Sequence, residues 1–152
     1  MRTLKLIAAG VVVLVAVAIL VPTLFRRAIF DPPGEAPPVG EVRVLNTALT
    51  TYQTAYGYFP DSLAELGPPA AGGATDKHAA NLIDSLLASG TKRGYRFVYL
   101  PSSARPGGPL DSYALHADPR TGEHHVHLYS DESGQIRFER GKSASAASRP
   151  LN

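Results

Sequence analysis

Cysteine is absent from the 152-residue chain. That excludes disulfides, thiolate metal sites, a cysteine nucleophile and the lipid-acceptor cysteine of a bacterial lipoprotein. An excess of charge of one sign is lacking too: 15 Lys and Arg face 13 Asp and Glu, for a net charge of +2. The basic residues are scattered, with Lys92 next to Arg93, and Arg137, Arg140 and Lys142 near the end. No contiguous basic stripe with interleaved stacking aromatics forms, so nucleic acid is not an expected partner. There is no Gly-x-Ser-x-Gly elbow and no Walker or dinucleotide glycine pattern. No small-molecule substrate or cofactor is suggested, and the chain is not expected to be an enzyme.

What is present begins with a long apolar run. Residues 6–25 carry no charge, and at about 1.5 Å per residue they span about 30 Å, the hydrocarbon thickness of a bilayer. The expectation is a single-pass transmembrane helix within an anchor over residues 1–30. Arg2 and Lys5 precede the run, and Arg26 and Arg27 follow it. The short first segment favours a cytoplasmic N-terminus and an exported C-terminal domain. Ala16-Val17-Ala18 has the small-x-small form of a signal cleavage site, but Ile19, Leu20 and Val21 continue the apolar run, which favours an uncleaved anchor. Ala9, Gly10 and Ala16 offer small-residue contact points for lateral association with similar helices.

Asp31-Pro32-Pro33-Gly34-Glu35-Ala36-Pro37-Pro38 follows. Proline lacks the amide donor and disfavours helix in the preceding residue, so 31–38 reads as a linker. A globular domain over 39–142 is expected next. Its first element is a helix over Val39–Tyr56, in which Val42, Leu45, Leu49, Tyr52 and Tyr56 recur at helical spacing on one stripe. Arg43, Asn46, Thr50 and Gln53 take other faces, and Gly57 is placed to stop the helix in a left-handed cap. Short helical pieces are expected at 62–67 and from His78 to Ala88. The pattern then changes to period two over Tyr95–Leu100, Ser112–Ala117, His125–Tyr129 and Gln135–Glu139, with turn residues between. The predicted fold class is α+β: an N-terminal transmembrane helix, a Pro-rich break, and an amphipathic helix packed on a four-stranded antiparallel meander. The small, polar tail at 143–152 is expected to be disordered.

The assembled pattern resembles the type IV pilins and pseudopilins of bacteria. The resemblance rests on Val44-Leu45-Asn46-Thr47-Ala48 through Thr51-Tyr52 to Tyr56-Gly57-Tyr58-Phe59-Pro60, then Ser62-Leu63-Ala64-Glu65-Leu66-Gly67. Leu82 to Tyr95, Tyr113 to Pro119 and His127 to Arg137 extend it, so that it covers most of residues 40–140. The prepilin front is degenerate: Gly10 is followed by Val11 where prepilins have Phe, and no acidic residue precedes Asp31. The resemblance implies a non-enzymatic structural or interaction protein of a bacterial envelope, placed in the inner membrane. It would act by docking or assembly with pilus or type II secretion components, with other pilin-like subunits as partners. Gly10 and the stripe Val42, Leu45, Leu49, Tyr52 and Tyr56 are the residues expected to carry structure and assembly.

Three other constellations carry possible chemistry. His116, His125 and His127, with His124 beside them, are the densest set of metal-ligating side chains, and His125 and His127 share one face of a strand. They support an alternative reading as a ligand- or metal-binding module, against a plain half-exposed sheet face. Asp131-Glu132-Ser133-Gly134 offers hard oxygen ligands to calcium, but six or more are needed, and a β-turn is the simpler account. Ser112, His116 and Asp118 supply the residue types of a hydrolytic triad without any of its motif context.

Overall fold

The computed structural model describes residues 37–120 and 126–151, and Pro37–Asn152 groups as one folded unit. Helix α1 spans Val39–Tyr56. Pro38 stands at its N-cap without a side-chain bond, and Glu41 in the first turn suits the positive end of the helix dipole. Gly57 ends it at φ +85°, in the left-handed conformation that only glycine adopts freely, and its N–H donates to the Gln53 carbonyl at 2.8 Å.

A 3₁₀ turn over Leu63–Leu66 follows, and then a single-turn helix, α2, over Ser85–Ala88. The helix expected from His78 is thus shortened by seven residues. Ala80, Leu82 and Ile83 instead donate their N–H groups to the Glu65 and Leu66 carbonyls, and Asn81 donates to Gly67. Asn81 has a positive φ of 54°. The helix starts only where Asp84 can cap it, accepting from Leu86 N–H at 3.0 Å and Leu87 N–H at 3.1 Å.

The strands are β1 (Thr91–Lys92), β2 (Tyr95–Ser102), β3 (Ser112–Pro119), β4 (Val126–Asp131), β5 (Arg137–Arg140) and β6 (Arg149–Pro150). They form one antiparallel sheet in sequential order. This corrects the expected four-stranded meander: the sheet has six strands, with a two-residue strand at each edge. β1 pairs with β2 through a turn at Arg93 and Gly94, both at positive φ (49° and 73°), as two-residue hairpins require. β6 arises from the tail expected to be disordered. Leu151 N–H donates to the Ile136 carbonyl at 2.8 Å, and Ala144 and Ser148 are buried.

The single-pass membrane architecture is corrected as well, and with it the inner-membrane localisation. Among the described residues no helix is long and apolar enough to cross a membrane. The segment on which that expectation rested, 6–25 with Gly10, and the start of the Pro-rich linker lie outside the described residues.

The core lies between α1 and one face of the sheet. Val42, Leu45, Ala48, Leu49 and Tyr52 meet Tyr95 and Phe97 of β2, Tyr113, Leu115 and Ala117 of β3, and Leu128 of β4. Each fully buried Leu contributes about 1.5–3 kcal/mol. Phe59, Leu63, Leu66, Ile83 and Leu87 belong to the same core cluster. Three buried tyrosines and the half-buried Tyr99 each find a partner for the hydroxyl, as buried phenols must. Tyr52 donates to the Lys77 carbonyl at 2.8 Å, Tyr95 to Val126 at 3.1 Å, Tyr99 to Pro60 at 2.9 Å, and Tyr113 to Asn46 Oδ1 at 3.2 Å.

Candidate functional site

Alternation along β2, β3 and β4 sends every second side chain to the sheet face away from α1. Arg96, Val98 and Leu100 lie there from β2, with His116 and Asp118 from β3 and His127 and Tyr129 from β4. The two described histidines of the sheet do not converge. His116 stands opposite Tyr129 in the register, with ring centroids 5.2 Å apart and planes at 71°. His127 Nδ1 lies 2.6 Å from Asp118 Oδ1, with the two side chains 18% and 31% exposed. This pair bridges β3 and β4, and each partner takes up much of the other's capacity for a ligand. His124 and His125 lie outside the described residues. Among the described residues, no group of three or more His, Asp or Glu side chains is arranged to hold a metal ion.

The other two constellations resolve into structural bonds. Ser112 and His116 sit four residues apart on β3, about 13 Å at strand rise, well beyond hydrogen-bond reach. Ser112 Oγ instead shares a bond with Ser102 Oγ at 2.8 Å across the β2–β3 pair, and Asp118 is engaged by His127. In the β4–β5 turn, Asp131 Oδ1 accepts from the Ser133 N–H and hydroxyl, and Gly134 at φ +71° donates its N–H to the Asp131 carbonyl at 2.9 Å. Asp131 is thus occupied in shaping the turn.

The stripe residues Val42, Leu45, Leu49 and Tyr52 are all buried in the core, whereas Tyr56 is 37% exposed, its ring centroid 4.5 Å from that of Tyr52. Beside the stripe, Asn46 is buried in a polar knot between α1 and the sheet. Its Nδ2 donates to Ser130 Oγ at 2.8 Å and to the Gly134 carbonyl at 3.4 Å, and its Oδ1 accepts from Tyr113. Burial holds the Tyr113 phenol well above its ordinary pKa, with Asp131 and Glu132 adding to the effect. It therefore remains a neutral donor to Asn46.

No family model, curated protein or solved structure matches this chain. What the molecule offers a partner rests on its own surface.

A groove of about 570 Å³ runs along α1 and is lined by Asn46, Thr47, Thr50, Thr51, Thr54 and Ala55. A second, about 320 Å³, lies on the other side of the Thr47–Thr51 ridge, between Arg43, Val44, Ala48 and Leu82. In sequence these threonines look polar. In the structure each hydroxyl donates to the carbonyl four residues back: Thr47 to Arg43 at 2.9 Å, Thr50 to Asn46 at 3.0 Å, Thr51 to Thr47 at 2.8 Å and Thr54 to Thr50 at 2.8 Å. With its donors committed to the backbone, this face presents methyl groups, and Val44 at 46% exposure extends it. Among the described residues, Arg43 is the one charged residue lining either groove. Removing such a face from water costs little desolvation, because few polar groups lose a hydrogen bond. This face is not part of the apolar stripe, yet it is legible in the sequence: threonines at 47, 50, 51 and 54 fall on one helical face.

Proposed function

We propose that this chain is a pilin-like interaction protein that works by docking or assembly, without turnover, and that the threonine face of α1 is its contact surface. The observation that carries the reading is that face itself: an exposed ridge, Thr47 and Thr51, whose hydroxyls are satisfied internally and which has a groove on either side. The sequence resemblance to pilins over residues 40–140 supplies the class of partner, other pilin-like subunits. In this reading the buried stripe and the Asn46 knot hold α1 rigidly on the sheet, so that the exposed face is presented in one fixed orientation. Preorganisation of this kind lowers the ordering cost of association.

The absence of native cysteine makes a direct test possible. A photo-crosslinker is attached to Thr51→Cys in the full-length protein, and to Arg96→Cys on the opposite sheet face as a control. Crosslinking in the native cell, followed by mass spectrometry, is expected to trap a pilin-like subunit from position 51 and not from position 96. Equal adducts from both positions, or none from position 51, would overturn the proposal.

A further inference from the structure

We draw no further inference here: the strongest candidate, the threonine ridge of α1 with its two flanking grooves, belongs to the docking surface already described, and nothing in the structure shows which molecule covers it.

Discussion

Asn46 Nδ2 and Ser130 Oγ meet at 2.8 Å in the seam between α1 and β4, 84 residues apart in the chain. Asn46 also receives the Tyr113 hydroxyl, so one amide joins the helix to two strands. A buried amide of this kind adds little net stability when satisfied, but it is costly to disrupt in part.

Replacing Asn46 with Ala is therefore expected to cost about 1–3 kcal/mol, because the buried Tyr113 hydroxyl loses its acceptor. Ser130→Ala should cost less: it removes the bond from Asn46 Nδ2 and the hydroxyl's donation to the Gln135 carbonyl, but leaves the Tyr113 bond in place. Urea titration of both single variants and the double variant reads the coupling. Strict additivity would mean that the 2.8 Å contact contributes nothing.

The two faces of α1 should respond in opposite ways to truncation. Leu49 is fully buried, and Leu49→Ala is expected to lower stability by about 2–5 kcal/mol. Thr51→Ala, on the exposed ridge, should leave stability within about 0.5 kcal/mol or raise it, because Ala has the higher helix propensity. Chemical denaturation monitored by circular dichroism distinguishes them. A large loss for Thr51→Ala would show that its hydroxyl bond is structural.

Asp84 predicts an acid dependence. Lys92 Nζ at 2.7 Å, then the Leu87 N–H, holds its carboxyl below the usual value of 3.8. The group thus ionises more readily in the folded chain than in the unfolded one. Its stabilisation is complete above the ordinary value and disappears as pH falls through the lower folded-state value. Asp84→Asn keeps a capping side chain but removes the charge. The stability gap between wild type and Asp84→Asn should be open at about pH 7 and narrow as pH falls below the ordinary carboxyl value. A gap that persists unchanged in acid would exclude the charge as its source.

Truncation after Lys142 tests the tail. It removes β6, the Leu151 bond to Ile136, the buried Ala144 and the Ser148 carbonyl, which accepts from Arg137 at 3.1 Å. The expected loss is about 2 kcal/mol or more from lost burial and unpaired polar groups. An unchanged urea midpoint would mean that the tail contributes nothing to stability.

Some of this was legible in the chain and some was not, for identifiable reasons. The limits of α1 follow from local signals: the stripe from Val42 to Tyr52 has helical period, and Gly57 supplies the one residue suited to a left-handed stop. β1 and β6 are two residues long, too short to show any period. Arg149-Pro150 pairs with β5 only because the chain after Gly141 returns to Phe138 and Arg137. The segment 78–84 contains Leu82 and Ile83 at spacings compatible with a helix. Its backbone is taken instead by the Glu65, Leu66 and Gly67 carbonyls, a tertiary effect that no local pattern carries. Asn46 looks like a solvent-facing residue until its partners on β3, on β4 and in the β4–β5 turn are known. Strand alternation puts His116 and His127 on one sheet face, but their neighbours Tyr129 and Asp118 are set by the β3–β4 register, which the sequence does not carry.

The edges of the sheet bear on how this molecule meets others. An open strand edge is a template that recruits any extended chain with free amides. Here one border is the two-residue β1 with Lys92, and the other is the two-residue β6 with Arg149 and Pro150. Pro101 near the end of β2 removes one more donor where that strand runs past β1. With both borders short, cationic or proline-bearing, the sheet discourages indiscriminate polymerisation through its backbone. In the proposed docking mode, contacts between molecules would rest on side-chain shape on the helix, where a partner can be told from a stranger.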